Sequence, residues 1–142
     1  ARTSNYLTRE FDPDALVRAV FRLRNDLIII GRAAAEPLPD TIVARVQDPL
    51  TRVSDAAQRY LREGGEALLH RRNPPALGDV ERALQDFTAA IEILRREGAT
   101  RALPADSVGR LFAVGFALEQ LRRNFEDFSD RITECAHADI TT

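Results

Sequence analysis

The sequence predicts an all-α fold, an antiparallel four-helix bundle, and three observations lead to that prediction. Apolar residues recur every three or four positions through four segments, which is the spacing of a helix face that meets a core. Proline and glycine separate these segments. The connections between them are short, which favours antiparallel neighbours. The chain has 142 residues, a length that suits one domain.

The first segment begins at Asp12-Pro13-Asp14, where Asp12 is a typical N-cap and proline suits the first helical turn. Pro37 and Pro39 are predicted to end the helix. Its seam, meaning the row of apolar residues expected to face the core, alternates steps of four and three. That seam consists of Leu16, Val20, Leu23, Leu27, Ile30 and Ala34.

The second segment starts near Asp40 and stops at Asn73-Pro74-Pro75. Pro49 is expected either to kink this helix or to break it after a short first piece. Gly64 and Gly65 are expected to weaken its far end. The predicted seam consists of Val43, Val46, Leu50, Val53, Ala57 and Tyr60.

The last two segments show the clearest periodicity. The third runs from about Asp79 to Glu97, and Gly98 stands where a C-cap glycine belongs. The fourth begins between Pro104 and Ser107 and lasts to about Cys135. The third seam is Val80, Leu84, Phe87, Ile91 and Leu94, and the fourth is Leu111, Val114, Leu118, Leu121, Phe125, Phe128 and Ile132. The bundle is therefore expected over residues 12–136, between flexible ends at 1–11 and 137–142.

The composition is that of an ordinary soluble domain, with 44% apolar and 30% charged residues. The net charge of −2 gives no whole-chain argument for a nucleic-acid partner. All the basic residues are arginines, and alanine is abundant. Because the codons of both are GC-rich, this usage indicates a bacterial gene.

Two helices carry large apolar residues away from their seams. On a helical wheel, Phe112 and Phe116 lie roughly opposite the fourth seam, and Phe21 and Ile28 lie well off the first, with Val17 between. A broad buried face would explain this pattern, because three apolar positions per heptad are normal in bundles. A docking surface for another subunit, or for another part of the same protein, is the alternative explanation. If these four residues form one exposed stripe, a homodimer is expected.

Polar residues interrupt the middle of the same two helices. They form candidates for a network between the helices, which would fix their pairing and register. The alternative is a solvated flank with ion pairs inside each helix. The candidates are Arg24, Asn25, Asp26, Glu119, Gln120 and Asn124.

No catalytic or metal-binding constellation is found, so we expect no catalytic residues, no metal and no cofactor. Glu134 and His137 have the Glu-x-x-His spacing of di-iron bundles, but those sites need a second such motif and two more glutamates. Cys135 is interpreted as a small apolar residue of the seam. His70 precedes a helix break and is expected to interact with carbonyls at a helix end. An enzyme with an arginine-lined cleft is the remaining enzymatic alternative.

Several stretches together resemble the soluble region of bacterial fusaric-acid-resistance-type proteins, which belong to the aromatic acid exporter group. The likeness covers roughly residues 12–132, and GFALEQLRRN is its sharpest piece. The stretches, in order, are RAVFRLRNDLIIIGRAA, PLP, LREGGEALLH, LRREGATRALP and GRLFAVGFALEQLRRNFEDF.

The resemblance implies an inner-membrane protein with two blocks of transmembrane helices, joined to a helical region on the cytoplasmic side. It further implies export of aromatic and other weak organic acids, with a periplasmic adaptor as a partner of the full transporter. The chain is then expected to be a non-enzymatic domain that contacts the transmembrane segments of the same protein and serves in oligomerisation or support of the transporter. The alternative is a free-standing cytosolic protein-interaction bundle.

Overall fold

The computed structural model describes residues 11–35 and 37–138. Over these residues the fold is all-α, with four helices and no strand, which confirms the predicted class. The helices are α1 (Pro13–Ala35), α2 (Asp40–Leu69), α3 (Gly78–Arg96) and α4 (Ala105–His137). The predicted end segments lie mostly outside the described residues, and α4 extends to His137, one residue past the predicted end of the bundle.

The helices pack in two antiparallel pairs, α1 with α4 and α2 with α3. Two ion pairs show the direction of the second pair. Arg45, early in α2, bonds to Glu97 just after α3 at 2.9 Å, and Arg59 lies 3.8 Å from Asp79 at the start of α3. Helix α4 also touches both α2 and α3, so it is the central element of the bundle. The prediction that the first and last helices are neighbours is confirmed.

The core is centred on α4, whose predicted seam is buried along its whole length. Tyr60 of α2 packs edge-on against Phe125 with 5.4 Å between ring centroids, and it also meets Phe128 at 6.3 Å. Such aromatic contacts join the two helix pairs. The largest fully buried side chains are Phe125, Leu23, Ile42, Leu94, Leu121 and Ile132.

The predicted seam of α1 is confirmed at Leu23 and Ile30, which are buried, but the buried face of the helix is rotated away from Val20. Val20 is 46% exposed and Leu27 is only half-buried, whereas Ala19 and Asp26 are buried. The side chain of Ala34, which completes the predicted seam, lies outside the described residues. Apolar residues surround much of α1, so their period does not single out one face. Packing on α4 selects the face with the small Ala19, because a small residue lets two helices approach closely.

Helix α2 is continuous through Pro49, so of the two alternatives predicted there, a kink or a break, the break is wrong. Proline removes one hydrogen bond from a helix, but here its ring is buried in the core. The hydroxyl of Thr51 donates to the carbonyl of Gln47 at 3.0 Å, which adds a bond beside the proline. The buried face of α2 begins at Ile42 rather than at the predicted Val43.

The two glycines of α2 do not end the helix, which continues to Leu69. Gly64 is buried where α2 packs against α4. A Cβ placed on Gly64 would lie 3.0 Å from a ring carbon of Phe128 and 3.2 Å from Ile132 Cδ1. A Cβ on Gly65 would meet nothing within 4 Å. Gly64 therefore serves close helix packing, and Gly65 does not.

Helix α3 ends at the glycine that the sequence indicates. Gly98 has a positive φ of 75°, a conformation that favours glycine. Its N–H donates to the carbonyl of Arg95, and the N–H of Ala99 donates to Leu94, both at 3.1 Å. These two bonds form a Schellman motif, which satisfies carbonyls at the helix end.

Candidate interaction site

The four apolar residues that the sequence places off the seams are all solvent-accessible. Phe112 is 57% exposed and Phe116 is 69% exposed, while Phe21 is 54% and Ile28 is 37% exposed. None of the four contributes to the buried core. A broad buried face therefore does not account for them.

Phe112 and Phe116 border a groove between α3 and α4, which we call the α3–α4 groove. The groove has a volume of about 240 Å³. Gly115 lies between the two phenylalanines and leaves the α4 backbone uncovered, because a Cβ there would meet nothing within 4 Å. The lining residues are Thr88, Ile91, Glu92, Arg95, Thr100, Val108, Leu111, Phe112, Gly115, Phe116 and Leu118.

Arg95 reaches across this groove from α3. Its guanidinium carbon lies 5.2 Å from the centroid of the Phe112 ring, which is the geometry of a cation–π contact. Its ion pair with Glu92 is long, at 3.5 Å. Sequence reasoning from the apolar seams missed these two α3 residues. Their signal was the i, i+4 and i+7 spacing of Thr88, Glu92 and Arg95, which places them on one side of α3.

A second apolar surface lies on α1 and borders α2; we call it the α1 patch. It consists of Val17, Val20, Phe21 and Ile28. Val20 and Ile28 line a shallow groove with Leu61 of α2, and Arg24 is the charged residue of its lining. Phe21 shares this side of α1, because residues seven apart lie on one face of a helix.

The four phenylalanine and isoleucine candidates therefore occupy two surfaces instead of the single stripe that sequence reasoning considered. One pair faces the α3 side of α4, and the other faces the α2 side of α1. Exposed large apolar residues in groups indicate interaction sites more often than single ones do. The molecule thus offers two separate surfaces to partners.

Two of the six polar candidates meet between the helices. The amide nitrogen of Asn124 on α4 donates to a carboxylate oxygen of Asp26 on α1. Asp26 is buried, and burial raises the pKa of its carboxyl, while the hydrogen bond from Asn124 opposes that rise. Nearby, Arg22 lies 3.9 Å from Asp127 on the flank of the same helix pair.

The other four polar candidates do not join that contact. Glu119 pairs within α4, with Arg122 at 2.7 Å and Arg123 at 3.5 Å. These bonds lower the pKa of Glu119, chiefly through Arg122. Arg24 and Asn25 are exposed, and Gln120 is half-buried. These four residues therefore follow the alternative prediction, a solvated flank with ion pairs inside each helix, rather than a network between the helices.

The residues considered for chemistry lie apart from both surfaces. Cys135 is buried, and Glu134 bonds to Arg131 at 3.1 Å. His137 Nε2 lies 3.0 Å from Asn73 Oδ1, which joins the end of α4 to the loop after α2. His70 is exposed at the end of α2. Across residues 11–35 and 37–138, no three His, Cys, Asp or Glu side chains gather as a possible metal site.

Comparisons of the chain with protein-family models, with curated proteins and with solved structures give no match. Among the described helices, none combines the length and the apolar content needed to cross a membrane.

Proposed function

We propose that this chain is a non-enzymatic interaction domain that works by covering its two exposed apolar surfaces with other protein segments. The observation that carries the proposal is the exposure of Phe21, Ile28, Phe112 and Phe116 on two outer faces of the bundle, outside its buried core. Leaving such groups in water costs free energy, at about 25 cal/mol per Å² of apolar area. A partner that buries them regains that free energy.

In its specific form, the proposal is that the partners belong to a bacterial inner-membrane exporter of aromatic or other weak organic acids. The sequence resemblance to fusaric-acid-resistance-type proteins supports this form, and the domain would then lie on the cytoplasmic side. Its role would be assembly or support of the transporter, with the α1 patch and the α3–α4 groove as contacts to transmembrane segments or to another subunit. The same two surfaces also suit a free-standing interaction bundle.

Photo-crosslinking in cells tests the interaction role. A benzophenone amino acid replaces Phe21 or Phe112 in the gene product, and Glu63, an exposed residue of α2, serves as the matched control position. We expect crosslinks to defined protein segments from Phe21 and Phe112 and none from Glu63. Equal background labelling at all three positions would contradict the proposal.

The reading frame that encodes the chain separates the two forms of the proposal. Hydrophobic stretches of about 20 residues in the same frame, together with crosslinks that map to them, would support the exporter. Crosslinks only to separate soluble proteins would favour the free-standing bundle.

A further inference from the structure

We propose that α4 forms the contact of a symmetric homodimer, in which Phe116 of each protomer enters the α3–α4 groove of the other. This inference rests on the proposed function, because it takes the exposed apolar surfaces as interaction sites. It goes further by naming a second copy of this chain as the occupant of one of them.

The α3–α4 groove has the size and the lining that a phenyl ring requires. Its volume of about 240 Å³ exceeds the roughly 150 Å³ that holds benzene in an engineered protein cavity. Apolar side chains of Leu111 and Leu118 form part of the lining. Gly115 presents bare backbone with open space above it, so another helix can approach α4 closely at this position.

Each protomer offers both the projecting ring and the space that receives it. In an antiparallel crossing of two α4 helices, a two-fold axis between residues 115 and 116 sets Phe116 opposite Gly115 of the second copy. The same register sets Phe112 opposite Glu119 of the second copy. A self-complementary surface of this kind suits a closed two-fold dimer.

The charges around the groove favour the antiparallel arrangement. Arg95 lies over Phe112 at the groove rim, with only a long contact to Glu92, so the register brings Arg95 towards Glu119 of the second copy, a carboxylate that also pairs with Arg122 and Arg123 of its own helix. A parallel crossing would instead set Glu119 against Glu119 and Arg123 against Arg123. Opposite charges across an interface select partner and register, and like charges reject the wrong ones.

The expected dimer is weak. A phenylalanine buries roughly 150–250 Å², so the exposed parts of Phe112 and Phe116 supply roughly 250 Å² of the about 800 Å² that each partner gives to a standard interface. The remainder must come from polar side chains at the rim, which add less affinity. We therefore expect a dimer that dissociates on dilution.

Sedimentation velocity of the whole chain tests this inference at concentrations from about 10 to about 500 µM, which suit the detection of a weak dimer with a Kd between about 1 µM and about 1 mM. Phe116→Ser removes the inserted ring, and Phe21→Ser makes the same chemical change on the α1 patch. Both residues are exposed, so thermal melts should show both variants folded. We expect wild type and Phe21→Ser to dimerise alike, and Phe116→Ser to weaken the dimer by about tenfold or more.

Gly115→Leu provides an independent variant, because a Cβ at this position meets nothing within 4 Å and the added side chain should occupy the receiving space; it should weaken the dimer as Phe116→Ser does. A wild type that stays monomeric at the highest concentration would overturn the inference, as would equal effects of Phe116→Ser and Phe21→Ser. A monomer that still crosslinks to other proteins from Phe112 would overturn the homodimer alone and leave the proposed function standing.

Discussion

At the scale of single residues, Arg71 occupies the most strained backbone position among the described residues. Its φ is 51°, and it is the one non-glycine there with a positive φ. The N–H groups of Arg71 and Arg72 donate to Leu68 and Ala67, at 3.3 and 2.8 Å. These bonds form the same Schellman motif that Gly98 completes at the end of α3, but here an arginine holds the position that favours glycine.

Arg71→Gly should therefore stabilise the domain. Relief of the left-handed strain is worth about 1 kcal/mol, which should raise the melting temperature by roughly 3–5 °C in a domain of this size. Arg72→Gly is the matched control, because its φ is not positive, and it should give no gain. Calorimetry on both variants measures the difference; equal melting temperatures for the two would show that Arg71 carries no strain.

Asp26 makes stability depend on pH in a definite direction. Burial raises the pKa of this carboxyl in the folded protein, so folding favours its protonated form and its charge costs stability at neutral pH. This cost disappears as the pH falls through the folded pKa towards the ordinary value of 3.8. Asn at this position keeps an oxygen that accepts the bond from Asn124 without carrying charge.

Asp26→Asn should therefore be at least as stable as wild type at neutral pH, and its advantage should shrink as the pH falls to about 4. Asp26→Ala leaves Asn124 without this partner and should cost about 1–3 kcal/mol. Urea unfolding of the three proteins at both pH values measures these effects. An advantage of Asp26→Asn that grows in acid would contradict the burial argument.

At the scale of elements, the contact between α2 and α4 gives opposite roles to two adjacent glycines. Gly64→Ala would press a methyl group against Phe128 and Ile132, both buried. Overpacking of this kind costs about 1–3 kcal/mol and should outweigh the gain of about 1 kcal/mol that alanine brings to a helix. Gly65→Ala meets open space and should keep that gain. Denaturant unfolding should give shifts of opposite sign, and a gain from both substitutions would show that α2 and α4 do not pack closely.

The rotation of α1 can be tested by placing a charge at a predicted seam position of α1 and, for comparison, at a predicted seam position of α4. Leu118 is buried in α4, whereas Val20 is exposed on α1. Leu118→Asp buries an unpaired charge and should cost several kcal/mol, comparable with the total stability of a domain. Val20→Asp should change stability by no more than about 0.5 kcal/mol. Thermal melts measure the stability of both variants. A severe loss of stability from Val20→Asp would show that Val20 faces the core, as the sequence predicted.

Apolar periodicity predicted the buried face of some helices better than that of others, and the reasons are physical. Helix α4 carries an apolar row that is unbroken from Leu111 to Ile132, and this row is its buried face, although Phe112 and Phe116 lie off it. Helix α1 has LIII at 27–30, where apolar residues point in every direction and the period cannot choose among them. The observed face depends on packing against α4 and brings Asp26 to Asn124, a residue distant in the sequence. The presence of Pro49 and Gly64 inside a continuous helix likewise depends on their burial in the bundle. Local helix propensity gives no information about burial.

For the molecule as a whole, the bundle buries one core and leaves two apolar surfaces uncovered. The exposed residues were predictable as off-seam positions, but their separation into two surfaces was not. This separation arises because α3 borders the exposed residues of α4, whereas α2 borders those of α1. The polar rim of the α3–α4 groove could not be predicted from the sequence, because Arg95 and Phe112 come into contact only when α3 packs beside α4.

The accessibility of these surfaces in the assembled protein shows most directly whether partner segments cover them. Single variants Phe112→Cys, Phe21→Cys and the control Glu63→Cys are labelled with a maleimide, in cells and in the isolated chain, with Cys135 buried in each. Mass spectrometry follows each site separately. We predict that Phe112→Cys and Phe21→Cys react several-fold more slowly in cells, while Glu63→Cys reacts alike in both. If all three sites react as fast in cells as in the isolated chain, partner segments do not cover these surfaces.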